Sequence, residues 1–149
     1  MLHFRKMDIE DLQVIYSNDD LRPLLTVPPI GEKFGVLIDI DGTIKGGLTG
    51  YTHKQSAMIQ MIIVPEGPEY DELKEGLLRA SVYILDRYNI KIIFYKKEID
   101  NAFSCVGFER SESISLLQSN EIGKLIIDDI GTDSFSFLDV EKFFNHTCG

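Results

Sequence analysis

Apolar and polar positions along the chain change period several times, and each change marks an element. Leu2–Lys6 has the length and pattern of a short strand. Asp8 then stands as an N-cap with Asp11 three residues on. Ile9, Leu12, Ile15 and Tyr16 recur at helical spacing, predicting a helix through about Ser17. Asp19–Leu25 adds a second short helix before TVPPIG, whose prolines and glycine mark a loop. The sharpest local signal is FGVLIDI-DG-TIKGGLTGYT. Two β-prone runs flank Asp41-Gly42, a dipeptide suited to a type I′ hairpin because both central residues need positive φ. Gly46, Gly47 and Gly50 in the second run predict a bend or bulge. Ser56–Val64 follows as a strand apolar enough for burial on both faces.

From Glu69 to Tyr88 the period is helical, with Leu73, Leu77, Ala80, Ile84 and Tyr88 on one stripe, widened by Leu78, Val82 and Leu85. This predicts the main helix, packed on the sheet, with Asn89 at its C-terminal stop. Ile90–Tyr95 reads as the strand a parallel crossover delivers, and Asp100–Val106 as a helix ending at Gly107. Glu109–Leu117 and Lys124–Ile130 read as two further strands joined by QSNEIG. Asp139–His146 reads as a terminal helix that docks Val140, Phe143 and Phe144. The sum is an α+β fold, a single mixed, mostly antiparallel sheet of about six to seven strands flanked by helices.

Composition narrows the picture. A chain of 149 residues, 44% hydrophobic, fits one domain over 1–149, with 131–149 as a C-terminal extension. The net charge of −9 excludes a nucleic-acid partner, which needs clustered Lys and Arg against phosphate. It suits a cationic partner, or simple solubility. No apolar run approaches membrane-spanning length, and MLHFRKMDIED lacks the apolar core of a signal peptide. A reducing cytoplasm and no membrane partner are expected. Cys105 and Cys148 have no metal-ligand spacing, Cys105 lies in an apolar stretch, and no structural bridge between them is expected.

The element order and several residues together resemble the GNAT superfamily of acetyl-coenzyme A-dependent N-acetyltransferases. The resemblance runs over roughly Leu2–Ile130. It rests on the opening HFRKMDIEDL, the hairpin VLIDIDGTIKGG, the helix segment GLLRASVYIL, and VGFER with its Gly107-Phe108-Glu109. It implies acetyl-CoA as cofactor, lying against the splayed end of Ser56–Val64. Pantetheine would pair with the backbone of Ile62, Ile63 and Val64. The pyrophosphate would sit on a loop of the form Arg/Gln-x-x-Gly-x-Gly/Ala, where small residues let backbone N–H groups approach and the helix dipole adds positive potential.

Counting back from Leu77-Leu78, that loop is Glu69-Tyr70-Asp71-Glu72-Leu73-Lys74. Glu69 fills the Arg/Gln position, and Glu72 and Lys74 fill the two small ones, so the motif itself is absent. A carboxylate about 6 Å from a phosphate charge costs roughly 0.7 kcal/mol in water and nearer 3 at an effective dielectric of 20. Acids in the first turn of a helix also satisfy its free N–H groups and dipole without a ligand, which gives EYDE a self-capping reading. The resemblance further places Phe103 where the family often carries a proton-donating Tyr, and Phe103 has no proton to give. Cys105 nearby reads as an inert core thiol. The strand Ser56–Val64 contains no carboxylate to act as base. Gln60, which cannot take a proton, and His53 at the strand's entrance are the candidates.

Two functions follow. One is transfer of an acyl group from acetyl-CoA to an amine, a small molecule or a protein N-terminus or lysine, and plausible as a cation given the acidic surface. The other is a non-catalytic module that keeps the fold for binding or dimerisation, with the tail FSFLDVEKFF offered to a second copy.

Overall fold

The fold is described from a computed structural model, over residues 1–130 and 135–145. Seven strands are β1 Leu2–Lys6, β2 Glu32–Ile40, β3 Thr43–His53, β4 Ser56–Ile63, β5 Ile92–Tyr95, β6 Glu109–Ser111 and β7 Phe135–Asp139. The helices are α1 Asp11–Tyr16, α2 Tyr70–Arg87, α3 Asn101–Val106, α4 Ile114–Gln118, α5 Glu121–Ile130 and α6 Val140–Phe143, with a 3-10 turn at Arg22–Leu24. The strands form one sheet in the order β1-β2-β3-β4-β5-β7-β6. The β4–β5 pair is parallel and the other pairs are antiparallel, which makes this the expected mixed α+β sheet.

The turn chemistry acts as read. Asp41 (φ 53) and Gly42 (φ 84) both take positive φ, and the Asp39 carboxylate accepts the Gly42 N–H at 2.8 Å. Asn89 (φ 63) and Gly107 (φ 122) stop α2 and α3 in the left-handed region. On one face of the sheet, Leu73, Leu77 and Leu85 of α2 and Phe103 of α3 pack over Val36, Ile38, Leu48 and Ala57. On the other face, α1 and the 3-10 turn bring Ile15, Leu21 and Leu24 onto Leu37 and Ile44. Beside them α4 and α5 set Leu117, Ile122 and Ile126 over Tyr51, Met58 and Phe94.

Several expectations are corrected. The strand expected at Glu109–Leu117 stops at Ser111, and its second half is α4. Lys124–Ile130 is helical: Ile122 and Ile126 are both fully buried one turn apart, so the period is 3.6 despite the β-branched residues. The last sheet strand is instead β7, which lies inside the stretch expected as an extension and inserts between β5 and β6. Its Phe135 and Leu138 are buried within this chain's own cores, so the FSFLD half of the tail is not available to a second copy. The terminal helix is shorter than expected, with Asp139 as N-cap accepting the Lys142 N–H at 3.2 Å; His146 lies outside the described residues. Val140 and Phe143 dock as expected, while Phe144 stays half-exposed, edge-on to Tyr83.

Helix α1 also turns a different face inward. Asp11 and Ile15 are buried, while Ile9, Leu12 and Tyr16 of the expected stripe are exposed. The reason is Arg5, whose guanidinium takes both Asp11 oxygens at 2.8 and 2.9 Å and rotates that carboxylate toward the sheet. Asp8 is not the N-cap; its N–H donates to Asp11 at 2.8 Å, and Glu10 holds the cap position without a side-chain bond. Cys105 is disulfide-bonded, which corrects the expectation of an inert thiol without a bridge; Cys148 lies outside the described residues. Among the described residues no helix is long and apolar enough to cross a membrane.

Candidate functional site

The site is built where β4 and β5 part. Their ladder pairs Ser56 with Ile92, Ala57 with Ile93 and Met58 with Phe94, then ends, although β4 runs on to Ile63 and β5 to Tyr95. The cause lies on the other edge of β4. Against β3, Thr49 pairs with Met61 and Gly50 with Ile59, so Gln60 is an extra residue, a β-bulge. Gly50 is required opposite it, because a Cβ there would lie 1.9 Å from the Met58 carbonyl oxygen. The bulge inverts the alternation of side chains. Ala57 and Ile59 pack under α2; beyond the bulge Met61 and Ile63 join the α1 side, and Ile62 and Val64 return to the α2 side. Strand β4 thereby parts from β5, and from Ile59 onward its edge has no strand beside it among the described residues.

Gln60 itself is pinned. Its amide nitrogen donates to the Val27 carbonyl at 3.3 Å, and its Oε1 is buried with no protein partner. Next to it the Thr26 and Thr49 hydroxyls lie 3.4 Å apart, so a small polar patch lines the sheet face at the bulge. His53 is elsewhere. It ends β3 opposite Ser56 at the far end of β4, roughly 10 Å along the strand from where the edge opens at Ile59 and roughly 20 Å from Ile62 at ~3.3 Å per residue.

At the open end, α2 begins after Val64. Glu69 is its N-cap but makes no side-chain capping bond, which corrects the self-capping reading of EYDE as far as hydrogen bonding goes. Glu69 and Glu72 are exposed, and Leu73 is buried in the core. Lys74 points inward. Its Nζ donates to Asp100 at 2.6 Å and lies 5.6 Å from the Tyr70 ring centroid and 5.3 Å from that of Phe103. Burial pulls the Lys74 ammonium toward neutrality, but the Asp100 hydrogen bond and charge outweigh it and the net shift is upward. Burial pushes Asp100 up, while Lys74 and the Phe103 N–H together hold it below the usual carboxylate range.

Phe103 is fully buried, stacked on Tyr95 at 4.5 Å between ring centroids and edge-on to Phe108. Tyr95, at the free end of β5, is the hydroxyl of this cluster that sequence reasoning passed over. Burial raises its phenol's pKa, and the Lys74 charge works against that rise. Asp100 was also missed as a site residue. Its place at a helix N-cap was readable, but its pairing with Lys74, 26 residues away, was not. No group of three metal-ligating side chains occurs among the described residues.

No family model matches the chain, and no curated protein matches it. Solved structures do. A GNAT-family acetyltransferase from Staphylococcus aureus Mu50 superposes with a TM-score of 0.62 at 13% identity, over 94% of this chain and 99% of that one. A spermidine N-acetyltransferase chimera from Vibrio cholerae gives 0.61 at 13%, over 97% and 99%. A GNAT-family acetyltransferase from Brucella melitensis, solved in complex with acetyl-CoA, gives 0.56 at 13%, over 73% and 83%. The open β4–β5 sheet is thus the GNAT fold, that of the acyl-CoA N-acyltransferases.

Proposed function

We propose that the chain is an N-acetyltransferase that moves an acetyl group from acetyl-CoA to an amine. The observation that carries this reading is the open edge of β4, which continues to Ile63 after its ladder to β5 has ended at Met58–Phe94. An unpaired strand edge binds an extended amide chain through the backbone, whatever its side chains. Pantetheine is such a chain, and Ile62, Ile63 and Val64 offer it their main-chain groups. The fit is uneven. The strand edge suits the cofactor, whereas Glu69 and Glu72 at the start of α2 do not suit a pyrophosphate, and Lys74 of the same helix turn is a cation turned inward and bonded to Asp100.

Acetyl-CoA supplies an acyl group activated as a thioester. The N–H groups of β4 beyond the bulge are the donors that would hold the thioester carbonyl oxygen. Tyr95 donates a proton to the departing sulfur, in place of Phe103, which cannot. Gln60 would orient the amine, which reacts as the free base after losing its proton to solvent. As the C–N bond forms and the C–S bond breaks, the proton shed by the attacking nitrogen would pass to solvent, which would also restore the Tyr95 phenol, so positioning supplies most of the rate. The acceptor is a cationic amine, a polyamine-like small molecule or a protein N-terminus or lysine, in keeping with a net charge of −9.

Calorimetric titration with acetyl-CoA, followed by thiol release with spermidine and with lysine-containing peptides, tests the reading. Binding and turnover are expected, and Tyr95→Phe lowers kcat by about 10²-fold with binding retained. One observation favours a second reading, a binding module without catalysis: Lys74 is already engaged by Asp100, and Glu69 and Glu72 beside it are exposed acids. Absence of acetyl-CoA binding at millimolar concentration would establish that alternative.

A further inference from the structure

Outside this site, a cavity of about 610 Å³ lies at the opposite end of the sheet. It exists because β1 is shorter than its neighbour. The β1–β2 ladder ends at Lys6–Val36, Met7 donates one more bond to the Gly35 carbonyl at 2.8 Å, and the chain then leaves for α1. Strand β2, however, starts at Glu32 and is already paired there with Thr52 of β3. Over Glu32–Phe34 the outer edge of β2 therefore has no strand beside it among the described residues. Antiparallel ladders alternate in direction, so with Gly35 bonded outward, the next outward-facing N–H and C=O belong to Lys33. The cavity occupies the space where β1 would have continued.

Its walls suit an extended chain with apolar side chains on both faces. Ile84 of α2 and Ile90 close one side, and Leu12 of α1 stands on the other. Its far end carries two basic side chains, close enough to Glu121 that both join its hydrogen-bonded Lys124 in holding that carboxyl below its usual range. His53 and Lys54 line it from the β3–β4 turn, next to Thr52. Of the other lysines in the lining, Lys33 is already bonded to the Thr26 carbonyl and Lys6 to the Tyr88 hydroxyl. Glu32 and Asp8 also line the cavity; Glu32 is exposed to solvent, and Asp8 lies at the β1 end.

We infer that this cavity binds the carboxyl-terminal two or three residues of an apolar peptide, paired with the free edge of β2. Direction decides which terminus is held. A chain continuing the line of β1, antiparallel to β2, runs from Gly35 toward Glu32, and its last residue arrives beside Thr52–Lys54. A terminal carboxylate there meets Lys54 and His53, backbone pairing with Lys33 gives affinity, and the two apolar walls select the side chains. The inference does not depend on the acetyltransferase reading, since the two sites lie at opposite ends of β4.

The test uses the full chain and the probe acetyl-Gly-Val-Leu-Val, as free acid and as C-terminal amide, followed by amide chemical shifts. The acid is expected to shift Lys33, Phe34 and Lys54 and to bind at least ~10-fold more tightly than the amide, the loss expected for one charge-assisted contact. Lys54→Asn, which keeps a residue tolerant of positive φ at φ 56, narrows the difference between acid and amide, leaving what His53 contributes. Leu12→Arg, at a partly exposed position, weakens both. Equal binding of acid and amide, or no shift at millimolar peptide, overturns the proposal. Octanoate binding as tightly as the peptide would also overturn it, by showing a carboxylate site indifferent to the strand edge.

Discussion

Beside the β4–β5 opening, Lys74 of α2 is held 2.6 Å from the carboxylate of Asp100. The folded-state pKa of Asp100 is depressed. Its contribution to stability is therefore complete above the ordinary carboxylate value of about 3.9 and is lost as pH falls through the lower folded value. Near neutrality the pair is intact, and a phosphate must compete with Asp100 for Lys74. Asp100→Asn keeps an N-cap for α3 and releases Lys74. If Lys74 receives the pyrophosphate, this variant binds acetyl-CoA roughly tenfold more tightly at low salt, and the gain shrinks as salt is added. Calorimetry at two salt concentrations measures it, and an unchanged affinity would place Lys74 out of reach of the phosphate. Glu69→Gln with Glu72→Gly removes two exposed carboxylates from the same opening. That double variant should gain about tenfold or more in affinity, while Gly in the first turn of α2 costs up to ~1 kcal/mol of stability.

Elements were legible where one signal dominated. Asp41-Gly42 fixed a hairpin because only a turn needs two positive φ values in succession, and α2 was readable because eighteen residues share one apolar stripe. The bulge was half readable: Gly50 announced an irregularity, but that Gln60 is the extra residue depends on register between strands. Lys124–Ile130 reads as a strand because three of its residues are isoleucines, whereas the burial of Ile122 and Ile126 one turn apart follows the helical period. The phenylalanines of β7 read from sequence as an association surface, because their burial depends on pairing with β5 and β6. A substitution separates the two assignments. Ile126→Ala empties a site fully buried between α5 and the sheet and should cost about 2–4 kcal/mol in denaturant unfolding. Lys124→Ala, exposed on the other side of the same helix, should stay within ~0.5 kcal/mol. Comparable losses at both positions would contradict a helix there.

The whole molecule carries a net charge of −9 and is clasped at one edge by Arg5, which joins β1 to α1 through Asp11 and to β2 through Asp39. Lowering the pH has two opposing effects on such a chain. Protonating carboxylates relieves their mutual repulsion, which stabilises the fold, and neutralises the clasp, which destabilises it. The repulsion is spread over exposed groups and is largely screened beyond ~8 Å at physiological salt. The clasp is shielded, since the Asp11 and Asp39 side chains are only 11% and 12% exposed. Hydrogen bonding to Arg5 is the largest influence on both aspartates and holds their pKa values below the usual range, so their contribution is present above pH ~4 and lost as pH falls through the folded values. The clasp should therefore win, with a melting temperature level from pH 8 to about 5 and falling below ~4. Arg5→Met should remove about 2 kcal/mol at pH 7 through the two-pronged Asp11 contact alone. That is low in the range for charged hydrogen bonds because the Arg5 side chain is 34% exposed. For a chain of this size it corresponds to a fall of roughly 4–8 °C. In the variant the two aspartates are shielded without a counter-charge, so acid relieves them and the gap to the parent narrows as pH falls. Calorimetric scans of both proteins between pH 3 and 8 measure that gap. A gap that stays constant down to pH 3 would show that Arg5 acts through packing and not through its charge.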